Sequence, residues 1–167
     1  MANPQDLTPP HGLEQILATF GDIYEYIRAD GTLDTRWQDE FLVGLPLPFP
    51  MQLSWDKSKS VTLMTCHKGM ALVFAEVFGE IQKHGLQAKI ESFGGCFSFR
   101  PQRRGIKLST HAWGIAIDLN PEENAQGSAG NIDAGLVEIF RAAGFEWGGG
   151  WASGVRDPMH FQFCTGY

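Results

Sequence analysis

The segment 111–119, HAWGIAIDL, constrains this chain more than any other stretch. Ala112, Gly114, Ala116 and Asp118 alternate there with Trp113, Ile115, Ile117 and Leu119. This is the two-residue period of a strand with one bulky face and one face of small side chains. The pattern predicts a strand over 112–119, its bulky side in the core and its small side leaving space around the Asp118 carboxylate for a metal or a substrate backbone. His111 has the opposite parity from Asp118, so a bend or bulge at the start of the strand has to carry its ring to the same side.

A second alternating segment, DPMHFQF, lies at 157–163. Phe161 and Phe163 suit the core, while His160 and Gln162 share the other side. Pro158 predicts a turn that lets Asp157 point into a site beside His160. Two imidazoles and two carboxylates are therefore available from the two segments.

The rest of the sequence reads as the scaffold. Apolar positions between Leu13 and Ile27 fit a helical face that Gly21 and Asp22 break or cap midway. Residues 28–60 are expected to form turns and short strands, with GLPLPFP at 44–50 too rich in proline for a helix interior or a central strand. Residues 67–84 make the clearest amphipathic helix, with Ala71, Phe74, Ala75, Phe78 and Ile81 near one face and Gly85 as the stop. LQAKIESFGG predicts a strand, 121–131 a glycine-rich loop, AGLVEIFRAAG a helix ending at Gly144, FEWGGGW an irregular loop and HFQF a last strand. Helices against several strands favour an α+β fold. The 167 residues suit a single domain over 1–167, of which 1–60 is the less diagnostic N-terminal portion.

Charge and composition exclude other classes. A net charge of −6 gives no diffuse attraction to phosphate backbones or anionic lipid, so no nucleic-acid partner is expected. Cys66, Cys96 and Cys164 form no C-x-x-C pair and no disulfide scaffold, and are read as reduced or core residues. The start MANPQDLTPPHG is a polar leader without the basic and apolar regions of a signal peptide. No apolar run approaches the roughly 18 residues of a membrane span, so no membrane insertion is expected. The chain is expected to be made in the cytoplasm and, if its substrate lies outside, to be released or delivered by another factor.

Taken singly, His111 reads as a satisfied core histidine and Asp118 as a capping group; with His160 and Asp157 beside them the metal reading prevails. Zinc takes nitrogen and oxygen ligands tetrahedrally, and catalytic sites commonly use three protein ligands. If His111, Asp118 and His160 hold Zn²⁺, Asp157 remains free to accept a proton from the attacking water and return it to a leaving amine. Arg100, just before the motif, is a candidate to clamp a substrate carboxylate through its guanidinium fork. Arg103 and Arg104 are read as surface charges. Ser109 and Thr110 are candidates to bond the bend or the substrate, and Trp151, after three glycines, to line the cleft. Trp113, Trp147 and Phe161 are read as packing residues, and His11, His67 and His84, with no comparable acidic partner, as structural.

The stretch RPQRRGIKLSTHAWGIAIDLN followed by FEWGGGWASGVRDPMHFQF resembles the M15 family of zinc D-Ala-D-Ala carboxypeptidases and peptidoglycan endopeptidases, especially its phage-endolysin branch. The family segment S-x-H-x-x-G-x-A-x-D matches Ser109, His111, Gly114, Ala116 and Asp118, and its D/E-x-x-H segment matches Asp157 and His160. The resemblance covers residues 92–163. It implies one Zn²⁺ per chain on His111, Asp118 and His160, with Asp157 as catalytic base and Arg100 as substrate anchor. It also implies a small DD-peptidase/hedgehog-type domain with packed helices and the site on an antiparallel sheet. Gln162 departs from the glutamate that many relatives carry after the His-Phe pair. The implied partner is the bacterial peptidoglycan stem peptide, and the favoured activity an L-alanyl-D-glutamate endopeptidase. A D-alanyl-D-alanine carboxypeptidase and a noncatalytic zinc-containing wall-binding module stay open, as does, more remotely, a metal-dependent phosphoesterase, for which no second carboxylate cluster is evident. Oligomeric state is not legible.

Overall fold

Ile16 and Phe20, four residues apart, give the first helix its buried stripe, and Asp22 ends that run by capping the next turn. In the computed structural model, which describes residues 6–103 and 105–167, helix α1 spans Gly12–Phe20 and a 3₁₀ turn follows over Ile23–Tyr26. The Asp22 carboxylate accepts from Tyr24 N at 3.0 Å, so the expected break is an N-cap. Arg104 and the first five residues of the expected leader lie outside the described residues. The remainder of the leader docks: Pro10 is buried, and its carbonyl accepts from Thr165 N at 3.0 Å.

Residues 28–60 hold more regular structure than expected. Helix α2, Thr35–Phe41, is capped by Asp34, which accepts from Arg36 N at 2.9 Å, and is anchored by the buried Trp37, whose ring stacks on Phe41 at 4.2 Å. Strand β1, Leu42–Gln52, is a long strand rather than a short one and pairs antiparallel with β2, Ser60–His67. Pro46, Pro48 and Pro50 are tolerated because both members of a two-stranded sheet are edges, and the register shifts between Pro46 and Met51.

Helix α3, Ala71–Lys83, buries Val73, Phe74, Val77, Phe78 and Ile81. Its stripe is rotated from the expected one: Ala75 is exposed, and Val73 and Val77 take up the face. LQAKIESFGG is mostly not a strand. Its start turns into a 3₁₀ segment over Gln87–Lys89, and only β3, Phe93–Gly95, is extended. Among the described residues the second sheet then takes β4, Ala116–Leu119, helix α4 follows at Ala134–Ala142, and β5, Glu146–Trp147, and β6, His160–Gln162, complete the sheet. Its order is β3-β4-β6-β5, every neighbour antiparallel. The expected irregular loop FEWGGGW therefore contributes an edge strand and a 3₁₀ turn, Gly148–Gly150.

The fold is α+β, with α4 laid on the sheet. Phe140 of α4 stacks on Phe161 of β6 at 4.3 Å, and Phe145 meets Phe163 edge-on at 5.4 Å. Each such buried side chain contributes about 1.5–3 kcal/mol of transfer free energy. Trp113, Ile115, Ile117 and Leu119 all lie in the core, as their alternation predicts, and all three cysteines are free and buried. Burial pushes the Cys66 and Cys164 thiols up to about 12. No helix among the described residues is long and apolar enough to cross a membrane.

Candidate metal centre

The bend demanded by the parity of His111 is a 3₁₀ turn. Thr110–Trp113 form it, the Ser109 hydroxyl caps it by accepting from His111 N at 3.3 Å, and Gly114 closes it in the left-handed region at φ 71°. The strand therefore begins only at Ala116, which corrects the expected start at 112. The small residues also serve another purpose than expected. Ala112 and Ala116 are wholly buried, and a Cβ at Gly114 would stand 2.8 Å from the main-chain nitrogen of His67. The Gly114 carbonyl accepts from that nitrogen at 3.0 Å. Gly114 admits the end of strand β2 rather than keeping a cleft open.

The turn delivers the His111 ring to Asp118. The His111 Nδ1 lies 2.7 Å from the Cys96 carbonyl, which only accepts, so the neutral ring carries its proton on Nδ1 and presents a bare lone pair at Nε2. That Nε2 is buried, 3.2 Å from Asp118 Oδ2, and has no hydrogen-bond partner among the described residues. Asp118 on β4 and His160 on β6 are direct register partners, and His160 Nδ1 lies 3.0 Å from Asp118 Oδ1. The other nitrogen, Nε2, is 2.9 Å from the Gln162 Oε1. A neutral His160 that donates there also turns a lone pair toward the carboxylate.

Two imidazole lone pairs and a carboxylate thus converge in a buried space, an arrangement that repels itself unless a cation sits among them. One ligand atom from each of His111, Asp118 and His160 lies within 4.8 Å of the others, and this is the metal-capable group found among the described residues. The nitrogen and oxygen donors and the orphaned His111 Nε2 fit a zinc ion. With no cation there, burial opposes the Asp118 charge, while the facing His111 and His160 rings, when they carry protons toward it, hold its carboxyl well below the usual carboxylate range.

A cleft of about 380 Å³ opens on this group. Arg100, Ser109, Trp151 and Asp157 all line it, so every residue singled out from the sequence for catalysis or substrate contact is brought to one place. Asp157 is held from behind: its N–H donates to the Gly148 carbonyl at 3.0 Å, its carbonyl accepts from His160 N at 3.1 Å, and a Cβ at Gly148 would collide with it. Its Oδ1 is buried without a hydrogen-bond partner among the described residues. Burial raises its pKa from the usual carboxylate value, against the neighbouring charges of His160 and Arg103. Trp151 stands with its ring 5.6 Å from that of His160 and donates from Nε1 to Glu146 at 2.6 Å. Arg103, expected as a surface charge, is exposed and also lines the cleft.

Sequence reasoning missed three contributors. The Cys96 carbonyl is a main-chain group that no side-chain pattern marks. Tyr167 lines the cleft and donates from its hydroxyl to the Leu108 carbonyl at 2.8 Å; Glu146 tethers Trp151. Tyr167 lies five residues beyond the His-containing strand, whereas Glu146 is far from it in sequence and is brought beside it only by strand pairing. Of the histidines read as structural, His67 is buried between Phe20 O and Gly69 N, and His84 does have an acidic neighbour, Glu80, at 3.4 Å. A larger groove of about 920 Å³ runs between α3 and α4 but holds none of the converging groups.

A buried His-Asp-His cradle beside a half-buried acid has the make-up of a metal-dependent hydrolase. Residues 103–163 match the M15 peptidase family model described as D-alanyl-D-alanine carboxypeptidase. The matched stretch contains the three cradle residues and Asp157, and begins beyond Arg100 and Cys96. No curated protein and no solved structure matches the chain. The similarity supports a peptidase.

Proposed function

We propose that this protein is a zinc-dependent peptidoglycan peptidase that hydrolyses stem-peptide amide bonds, acting as an L-alanyl-D-glutamate endopeptidase. The observation that carries the reading is the convergence of His111 Nε2 and His160 Nδ1 on the Asp118 carboxylate, one cleft wall away from Asp157, within the stretch similar to M15 peptidases. Zinc, when bound there, supplies a Lewis acid that polarises the scissile carbonyl.

The chain's own groups do the rest. Asp157 accepts the proton of the attacking water on Oδ1, which has no hydrogen-bond partner among the described residues, and returns it to the leaving amine. A carboxyl whose acidity is weakened by burial is the better proton carrier near neutral pH. Arg100 clamps a substrate carboxylate, Trp151 walls the cleft beside His160, and Ser109 keeps the turn that carries His111. The substrate lies outside the membrane, so release or delivery by a separate factor belongs to this proposal.

A second reading, a D-alanyl-D-alanine carboxypeptidase, is favoured by the description of the matched family. Both substrates place a carboxylate within reach of the arginines. Digestion of purified peptidoglycan followed by mass analysis of the products, with chelator-treated protein as control, separates the two. New L-alanyl carboxyl and D-glutamyl amino ends support the endopeptidase, release of single alanines supports the carboxypeptidase, and sacculi bound without cleavage would reduce the chain to a wall-binding module.

A further inference from the structure

The metal reading leaves one buried side chain without a role, Gln162. It lies on the inner strand β6, paired with Ala116 on one side and Glu146 on the other, and is 2% exposed. Being two residues from His160 on one strand, it shares the face of that ring. Its amide is held at both ends. The Nε2 group donates to the main-chain oxygen of Tyr167 at 3.4 Å, and a main-chain oxygen only accepts, which fixes the amide's orientation. The Oε1, which only accepts, then takes the Thr110 hydroxyl at 3.2 Å and faces His160 Nε2 at 2.9 Å, and the oxygen of that hydroxyl stands 3.3 Å from the same Nε2. An oxygen so placed requires a proton on His160 Nε2.

We propose that Gln162, oriented by Thr110 and Tyr167, is the positioning residue that locks His160 in the Nε2–H tautomer and so aims its Nδ1 lone pair at the metal. It rests on the metal-centre reading above. Gln162 does for His160 what the Cys96 carbonyl does for His111, with the difference that a side chain performs it and can be exchanged. Partners of this kind that orient a ligating imidazole typically govern metal affinity by about 10–100-fold. Gln162 borders the cleft, and its action on the metal passes through the ring of His160.

The test is zinc affinity, measured by competition with a chromophoric chelator on the full chain, together with the melting temperature of the metal-free protein. Gln162→Leu is expected to bind Zn²⁺ about 10–100-fold more weakly. Gln162→Glu keeps an acceptor facing His160 and is expected to bind at or above the native affinity. Long-range ¹⁵N correlation of the zinc-loaded native chain is expected to show the proton on His160 Nε2. Native affinity in Gln162→Leu, or a proton on Nδ1, overturns the inference while leaving the centre intact. Equal weakening in both variants with an equally lowered metal-free melting temperature also overturns it, since that marks a packing role. If Gln162→Leu does not fold, Gln162→Glu and the tautomer of the native chain decide. A native chain that takes up no Zn²⁺ removes the centre itself.

Discussion

Asp157 is a residue that folding alone would not choose. Its Oδ1 is buried with no partner among the described residues, and burial makes ionisation harder than in the unfolded chain. A carboxyl with a raised folded-state pKa contributes stability below the unfolded value and loses it as pH rises, so at neutral pH the group burdens the fold. Asp157→Ala should therefore lower peptide hydrolysis by about 10²–10⁴-fold with zinc content unchanged, and leave the metal-free protein no less stable than the native chain. Full activity in that variant would reject the base assignment. His160→Ala removes a ligand instead. It should weaken zinc binding by more than the roughly 10–100-fold that an outer partner commands, and chelator competition reads this directly.

At the scale of elements, the junction of β2 with the turn before β4 governs whether the cradle forms. Gly114 must be left-handed and must leave room for the His67 main chain, so Gly114→Ala incurs both backbone strain and a collision. We expect a destabilisation of about 2–4 kcal/mol in denaturant titrations, accompanied by loss of bound zinc because His111 hangs on the same turn. His67 at the end of β2 ties that strand to α1 through Phe20 O and to the start of α3 through Gly69 N. Burial lowers its pKa from 6.5 to about 4. The unfolded chain then binds more protons between those values, so the stability is full above about pH 6.5 and falls as pH drops toward 4, by on the order of 3 kcal/mol. In His67→Gln this fall should flatten; an unchanged pH profile would show that the ring carries no such linkage.

The same elements explain what was legible in the sequence. The helix at α3 showed because Phe74, Phe78 and Ile81 repeat at helical spacing, and the approach of His111 to Asp118 showed because a parity mismatch forces a bend. Helix α2 did not show, since a stripe reduced to Trp37 and Phe41 is too short to declare a period. Strand β1 was hidden by prolines that only an edge position permits. The reading of 112–119 as one strand failed at Gly114, where a small residue marks close backbone approach rather than an open face. Cys96 escaped notice because its carbonyl, not its thiol, meets the site.

For the whole molecule, candidate ligands drawn from a turn, β4 and β6 would make a bound zinc a cross-brace of the larger sheet. Metal bound to the folded form alone should stabilise it by about 2.7 kcal/mol at a hundredfold excess over Kd, raising the melting temperature by about 5–10 °C. Scanning fluorimetry with zinc and with chelator checks this, and identical curves would argue against a resident ion. The pairing of Asp118 with His160 carries a further consequence for how the chain acquires its metal. A slip of β6 by one residue would put Phe161 opposite Asp118 and turn His160 to the apolar layer. A one-residue slip would therefore take His160 out of the proposed metal centre. During refolding, uptake of zinc should lag behind helix formation and coincide with closure of the long connection between β4 and β6, so that stopped-flow release of a zinc dye would clock the last committed step of folding.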